Sequence, residues 1–327
     1  MKNEVKTLTD AIRYFADEQT CIDTVASMRW PHGPVCPVCA ALSHRQHWLK
    51  TQKRFQCRDC GKQYSVKVGT IFEDSAIKLD KWLTAMWLIA NCKNGISSYE
   101  LAGHIGVTQK SAWFLLHRIR EAMKNRSVVK LGNTGGPVEV DETFIGGNPK
   151  NMHREKRLKL KAGIKGGHAE KAIVFGMLDR DTRQVRTKII PNVKRETLQT
   201  AILDRVGFGS TVYSDGWHGY DGLRAAQFVH DTVNHVEEYV RGTVHTQGIE
   251  NFWALLKRGL NGTYIAVEPF HLSRYVDEQM FRFNNRIGVT DRMRFERALR
   301  KIAGKRLTYA ELTGKVGETP CGASAGC

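Results

Sequence analysis

Two closely spaced cysteine pairs place the strongest constraint on how the first part of this chain can fold. Cys36 and Cys39 form one C-x₂-C motif, Cys57 and Cys60 form a second, and seventeen residues separate the pairs. Each pair can present two thiolates to one tetrahedral ion, so the spacing predicts a zinc ribbon, with Gly61 in the turn after the second pair. Four thiolates leave no open coordination position, which predicts a single structural Zn²⁺. The alternative is four unrelated buried cysteines.

The charge of the chain favours a polyanionic partner. Its 327 residues include 50 lysines and arginines against 33 aspartates and glutamates, which gives a net charge of +17 and an isoelectric point near 9.6. An excess of this size favours nucleic acid through the release of counterions. Binding to ribosomal RNA or a solvated basic face would produce the same composition, so charge alone does not identify the partner.

The sequence lacks the features of a secreted or membrane protein. Its N-terminal segment carries scattered charges and no apolar core, which argues against a signal peptide. The longest apolar run, Trp82 to Ala90, is well short of the ~20 residues that span a bilayer. Eight cysteines in a chain of this length do not indicate a disulfide scaffold. We therefore expect a cytoplasmic protein without membrane contact.

A helical module with a DNA-binding layout follows the ribbon. The pattern is helical from Lys78 to about Arg120, with Gly106 in a tight turn and Thr108 as a cap for the helix that follows. This predicts a helix-turn-helix, and three polar side chains at the start of its second helix would face a DNA groove: Gln109, Lys110 and Ser111. A helical hairpin without DNA contact would have the same periodicity.

The ribbon itself also carries groups suited to DNA. Basic residues alternate there with Trp48, Phe55 and Tyr64, whose rings could stack on bases. Zinc ribbons also bind proteins, and that alternative stays open.

Beyond a glycine-rich stretch the pattern changes to strands mixed with helices. Strand-like runs such as VEVDETF, AIVFGMLD and TVYSD combine with the helix-like runs RETLQTAILDRV and IENFWALLKRGL, which predicts a mixed α/β sheet flanked by helices. The predicted organisation, in chain order, is an N-terminal helix and zinc ribbon (1–72), a helix-turn-helix module (73–126), a linker (127–137), an α/β domain (138–290) with a basic insertion (146–171), and a basic helix with a disordered tail (291–327).

Two aspartates stand out within the strand-like runs. Asp141 follows Val138 and Val140, and an acid in such an apolar strand is costly unless it has a partner or a function. Asp215 ends the run TVYSD, where functional groups concentrate in open α/β sheets. Carboxylates are hard oxygen ligands that suit Mg²⁺ or Mn²⁺. Asp215 could instead simply make a turn.

A third acid, Glu250, is judged by its position on a helical wheel. The buried stripe of this predicted helix comprises Ile249, Phe252, Trp253, Leu256 and Leu260. Glu250 and Lys257 fall together at the margin of the stripe, two turns apart, while Asn251 and Arg258 face solvent. Glu250 is therefore the expected third metal ligand, and Lys257 the expected contact for a phosphate. The alternative is a surface pair that merely flanks the core.

The densest basic stretch of the chain follows Asp141. Residues 146–171 have little apolar content, and their cations are expected to contact a phosphate backbone, together with Arg258 of the later helix. The residues expected to bind DNA here include Lys156, Arg157, Lys159 and Lys161. A solvated loop is the alternative.

With the zinc ribbon and the helix-turn-helix, the motifs VEVDETFIGG, SDGWHGY and HTQGIENFWALLKRG resemble those of DDE-type transposases of bacterial insertion sequences, in the ISXO-type group (insertion-sequence family 1595). The resemblance extends from about Thr20 to Arg286. It implies a ribonuclease H-like catalytic domain in which Asp141, Asp215 and Glu250 bind two Mg²⁺ or Mn²⁺ ions and Lys257 is an additional basic residue. Some members have asparagine as the third residue, which makes Asn251 an alternative; the wheel and the spacing to Lys257 favour Glu250.

The resemblance also implies a reaction and its partners. A metal-activated water would cut DNA at the transposon end, and the released 3′-hydroxyl would attack target DNA. Handling two terminal inverted repeats together implies a dimer or larger synaptic complex in a bacterial cytoplasm. Two alternatives remain: a DNA-binding regulator derived from a transposase, and a nuclease of the same fold that cuts without joining.

Overall fold

The computed structural model describes residues 5–146, 171–233 and 242–314. These residues form two compact units, one that ends at Lys124 and resumes at Gly288, and a second from Asn125 to Ile287. Within the ranges described, no helix has both the length and the apolar character needed to cross a bilayer. The predicted tail from about 315 onward lies outside these ranges.

The first unit begins with two helices and a small sheet. Thr7 and Asp10 form a capping box at the start of the first helix, and Asp17 accepts a hydrogen bond from the Thr20 amide at the start of the second. The three strands are antiparallel and adjacent in chain order. The elements are α1 (Leu8–Tyr14), α2 (Glu18–Arg29), β1 (Gln46–Leu49), β2 (Arg54–Cys57) and β3 (Gln63–Tyr64).

Three further helices follow in the same unit: α3 (Leu79–Asn91), α4 (Ser98–Ile105) and α5 (Gln109–Met123). Ser97 and Glu100 form a capping box for α4, Gly106 ends it at φ 60°, and Thr108 caps α5. Positive φ is the conformation that glycine adopts at least cost, which explains the abrupt turn between the two helices. The predicted helical layout is therefore present, with the predicted turn at Gly106 and the predicted cap at Thr108.

The second unit is built on a five-stranded mixed sheet. Its strands are β4 (Val138–Ile145), β5 (Ala172–Asp179), β6 (Val185–Ile190), β7 (Thr211–Asp215) and β8 (Val229–Val233). Their order is β6-β5-β4-β7-β8; β4 is antiparallel to β5 and parallel to β7, and β7 is parallel to β8. The predicted mixed α/β sheet is confirmed, and β8 is a strand that the sequence pattern did not single out.

Helices cover both faces of this sheet: α6 (Arg195–Arg205) on one side, and α7 (Gln247–Gly259) with α8 (Leu272–Asn284) on the other. Side chains alternate along a strand, so Val138 and Val140 of β4 pack toward α6. Residues 139 and 141 consequently point toward α7. The sheet thus holds Asp141 on the face that the Glu250 helix covers.

The glycine-rich stretch expected to be a linker is anchored to the second unit. Leu131 is buried and pairs with Val206, and the Gly132 amide donates to Asp179 at 2.8 Å. At the other end of the chain, α9 (Asp291–Leu299) and α10 (Tyr309–Thr313) belong to the first unit, where α9 packs against α3.

Candidate functional site

The four ribbon cysteines converge as their spacing predicts. Their sulfur atoms all lie within 4.8 Å of one another, with Cys39 and Cys57 3.5 Å apart and Cys36 and Cys60 3.7 Å apart. The backbone amides of Cys60 and Asp59 lower the pKa of Cys57 to about 6, and this favours the thiolate that a metal requires. A set of four thiolates at these distances fits one tetrahedral ion such as Zn²⁺.

The aromatic residues of the ribbon pack against each other. Phe55 lies between Trp48 and Tyr64, and Trp30 contacts both Phe55 and Tyr64. Tyr64 is buried, and its hydroxyl donates to Gln46 at 2.9 Å. The interpretation of Tyr64 as a base-stacking group is therefore wrong, because its ring is part of the ribbon core.

At the start of α5, two of the three polar side chains take part in local hydrogen bonds. Gln109 Nε2 donates to Ser98 Oγ at 2.8 Å, and Thr108 Oγ1 donates to Ser111 Oγ at 2.9 Å. Lys110 is exposed. Lys110 is thus the most accessible of the three to a DNA backbone, and the contact itself stays a prediction.

The sheet brings Asp141 and Asp215 together. Their strands are adjacent and parallel, with Val138 opposite Val212 and Glu139 opposite Tyr213. Each aspartate follows the second of these pairs by two residues on its own strand, so both lie at the same end of the sheet. Burial, together with the neighbouring charges of Glu142 and Asp215, raises the pKa of Asp141 to about 8. A repulsion of this kind requires the carboxylates to be close, and a divalent cation between them would relieve it.

Two residues beside this pair were missed from the sequence. The Tyr220 hydroxyl donates to Glu142 Oε2 at 2.5 Å, and burial raises the pKa of Glu142, with Asp215 adding to the rise. Tyr220 is fully buried against α6. Both residues lie next to motifs that the sequence analysis used, since Glu142 directly follows Asp141 and Tyr220 ends SDGWHGY. No local sequence pattern indicates that these two side chains, 78 residues apart in the chain, form a hydrogen bond.

Helix α7 contacts the Asp141 carboxylate through Trp253. The indole Nε1 donates to Asp141 Oδ2 at 2.9 Å. Gly176 lies opposite Asp141 on β5, and a Cβ built on it would be 2.5 Å from the Trp253 ring. The glycine therefore makes room for the ring that holds Asp141.

Replacing Gly176 with alanine is expected to lower the free energy of unfolding by about 1–3 kcal/mol, because the Trp253 ring must shift to accept the methyl group. Urea denaturation measures the change. Gly103→Ala on α4 is the matched control: its Cβ would meet nothing within 4 Å, and it should raise stability by about 0.5–1 kcal/mol. A Gly176→Ala protein as stable as wild type would contradict this close packing.

The predicted buried side of α7 is confirmed. The roles of Glu250 as a metal ligand and Lys257 as a phosphate contact stay predictions. Ile249, Phe252, Trp253, Leu256 and Leu260 are all buried, and Glu250, Asn251, Lys257 and Arg258 are exposed. The Thr246 hydroxyl donates to Glu250 Oε1 at 2.7 Å. Among the residues described, only the four cysteines form a cluster of metal-ligating atoms within 4.8 Å, so Glu250 does not converge there with the two aspartates.

The predicted DNA contacts of the basic insertion fall on residues that the structure does not describe. Lys156, Arg157, Lys159 and Lys161 lie between 147 and 170, outside the residues described. Their binding to DNA stays a prediction.

Two family models match the chain over its ribbon and its sheet. A transposase zinc-ribbon domain matches residues 16–63, and an ISXO2-like transposase domain matches residues 133–284. The second match begins just before β4 and ends with α8. It therefore includes Asp141, Asp215 and Glu250.

Two similar proteins have names that refer to transposition. An uncharacterized protein in transposable element ISH50 of Halobacterium salinarum is 29% identical over 257 residues, which is 76% of this chain and 85% of that protein. An uncharacterized transposase-like protein of Haemophilus influenzae is 34% identical over 102 residues, 31% of this chain and 82% of that protein.

Among solved structures, one match is to a chain in the simian T-cell lymphotropic virus intasome in complex with PP2A regulatory subunit B56 gamma. It covers 55% of this chain and 60% of that chain at 16% identity, with a TM-score of 0.26. A score this low supports no statement about fold.

Proposed function

This chain belongs to the ISXO2-like transposase family, and on that premise we propose that it cuts DNA at the ends of an insertion sequence and joins the new 3′-hydroxyls to target DNA. The observation that carries the proposal is the position of Asp141 and Asp215 on adjacent parallel strands, close enough to raise the pKa of Asp141. The five-stranded mixed sheet with helices on both faces supports a ribonuclease H-like catalytic domain.

The donor set fits Mg²⁺ or Mn²⁺. Asp141 and Asp215 would hold the ions, with Glu250 as the third ligand, and all three supply the oxygen donors that these cations prefer. Two such ions, when bound, supply a nucleophile at neutral pH and neutralise charge on the phosphodiester. Trp253 holds the Asp141 carboxylate in place through its Nε1 hydrogen bond.

The remaining parts of the chain would hold DNA. Lys257 and Arg258 are exposed on the helix that carries Glu250, and they offer cations for a phosphate backbone beside the acids. In the first unit, the zinc ribbon and the start of α5 with Gln109, Lys110 and Ser111 would recognise the terminal repeats as a helix-turn-helix does. We propose a dimer or larger assembly, because two ends are joined in one reaction.

The test is a joining reaction with purified protein, Mg²⁺, a plasmid and DNA that carries the candidate terminal repeats. Wild type should yield joined products, and Asp215→Asn should yield none, because one of the two adjacent aspartates loses its charge. Gel analysis of plasmid-linked ends measures this. Joining that survives the substitution would refute the proposed site, and cutting without joining would favour a nuclease.

The third position is tested in the same assay by two neighbouring substitutions. Glu250→Gln should remove joining, and Asn251→Ala should retain it. The reverse result would assign the third ligand to Asn251. Both residues are exposed, so neither substitution is expected to unfold the protein.

A further inference from the structure

A buried ion pair lies beside the acids. Arg180 directly follows β5, and its Nε donates to Glu139 Oε1 at 2.6 Å. The side chain of Glu139 is 1% exposed and that of Arg180 is 17% exposed. Burying two charges costs desolvation free energy, so a pair of this kind persists where further hydrogen bonds satisfy both groups. Further hydrogen bonds link this pair to α7, and a contact of Arg180 with an aromatic ring links it to β7.

Glu139 joins β4 to the start of α7. It precedes Asp141 by two residues and points to the same face of the sheet. Its Oε2 accepts the backbone amide of Ile249 at 2.8 Å, and Ile249 is the residue before Glu250. A Cβ built on Gly248 would lie 2.7 Å from the same oxygen, so the first turn of the helix rests directly on the carboxylate. Negative charge at a helix N-terminus is also favourable.

Arg180 extends the same linkage to β7. Its guanidinium donates to the carbonyls of Thr243 and His245, at 2.6 and 2.7 Å, in the segment that leads into α7. It also lies over the Tyr213 ring, 4.8 Å from the centroid. Tyr213 is paired with Glu139 in the sheet and precedes Asp215 by two residues.

We propose that Arg180 and Glu139 are positioning residues that fix the distances among Asp141, Asp215 and Glu250. This rests on the proposed function of those acids as metal ligands. Glu139 lies two residues before Asp141 and accepts the amide of Ile249, the residue before Glu250. Arg180 contacts Tyr213, two residues before Asp215. A shift of Glu139 or Arg180 therefore moves the three acids relative to one another. A guanidinium suits this position because Nε, Nη1 and Nη2 donate from three separate atoms, one to the carboxylate and two to the carbonyls, whereas an ammonium donates from a single atom.

Arg180→Lys is the first test. The full-length variant should bind terminal-repeat DNA as wild type does, but the Mg²⁺ concentration that half-saturates joining should rise by about tenfold or more, since residues that orient metal ligands typically affect metal affinity by that factor. Raising Mg²⁺ should recover part of the joining rate. A role confined to stability would lower the melting temperature and leave the Mg²⁺ requirement unchanged.

Arg282→Lys provides the matched control. Arg282 forms an ion pair with Glu278 of the same helix, α8, and this pair is buried like the pair of Arg180 and Glu139. This substitution should lower the melting temperature without changing the Mg²⁺ requirement. Glu139→Gln keeps an acceptor for the Ile249 amide but removes the charge, so it supplies the test if Arg180→Lys does not fold.

The proposal is overturned if the Arg180 or Glu139 variant joins DNA with the wild-type Mg²⁺ requirement, or if Arg282→Lys shifts that requirement equally. Failure of the proposed function has a different signature, because wild type itself would then not join DNA. In that case, calorimetric titration of Mn²⁺ into wild type and each variant decides the positioning role: weaker binding in the Arg180 and Glu139 variants alone supports it, and equal binding overturns it.

Discussion

Replacing Asp141 with asparagine is expected to abolish DNA joining and, at the same time, to raise the melting temperature of the protein in buffer without Mg²⁺ or Mn²⁺. The two effects have one cause. Burial and the neighbouring charges of Glu142 and Asp215 raise the pKa of Asp141 from 3.8 to about 8, so its charged form destabilises the folded protein unless a cation is bound. Asparagine has a similar shape and no charge, and it is also a poor metal ligand.

The pH dependence of this effect has a definite sign. Between about pH 4 and pH 8 the folded protein binds a proton on Asp141 that the unfolded chain does not, so wild-type stability falls as pH rises and levels off above the folded pKa. One pKa unit corresponds to about 1.4 kcal/mol, and after a discount for partial exposure we expect a gain of roughly 2 kcal/mol for the variant at pH 8. This equals about 4–8 °C for a unit of this size.

Thermal melts from pH 4 to pH 9 measure the difference between Asp141→Asn and wild type. The difference should grow with pH and level off near pH 8. Asp204→Asn is the control, since Asp204 forms an exposed pair with Lys188 and should change little at any pH. A gain independent of pH, or a loss at pH 8, would show that the charge of Asp141 is not the destabilising element.

Local sequence patterns predict some features of this site, such as which side of a helix is buried, and not others. The phase of α7 followed from apolar spacing, because a helix of 3.6 residues per turn must bury Ile249, Phe252 and Leu256 on one side. Asp141 was identifiable because a charge is costly in its apolar strand, and Asp215 because it ends a strand, where functional groups concentrate in open α/β sheets. Helix α8 was missed, although Leu272, Tyr275, Val276 and Met280 recur at the same helical spacing.

The contacts that hold the acids could not be predicted, because they depend on sheet register. Tyr220 meets Glu142, and Arg180 meets Glu139, only because β4 lies between β5 and β7. Glu139 and Asp141 share one face of β4 because side chains alternate along a strand, but their partners Arg180 and Trp253 are 41 and 112 residues away in the chain. A local pattern fixes which side of an element a residue occupies, and the tertiary fold decides what it meets there.

Loss of the metal from the zinc ribbon is expected to change protein stability and function as much as replacement of Asp141 does. The change in stability should fall in the first unit. The ribbon sheet has strands of four, four and two residues, and its core is three buried residues, Cys36, Cys57 and Tyr64, with a few partly buried side chains such as Trp30 and Phe55 packed against them. A core this small cannot offset the conformational entropy of ordering the ribbon, so metal binding must supply most of its folding free energy. Cys57→Ser should therefore lose the bound Zn²⁺, unfold the ribbon and weaken binding to terminal-repeat DNA.

Zinc analysis, limited proteolysis and DNA-binding titrations measure the three consequences together. We expect one Zn²⁺ per chain in wild type and none in Cys57→Ser, with new cleavage between 30 and 65 and an unchanged sheet unit, because that unit has a core of its own. Cys92→Ser is the matched control, since Cys92 lies outside the cluster and should keep the metal and the DNA binding. Retention of one Zn²⁺ by Cys57→Ser would place the metal on other ligands. Loss of the metal with unchanged DNA binding would instead leave the ribbon with a purely structural or protein-binding role and assign recognition of the ends to α5.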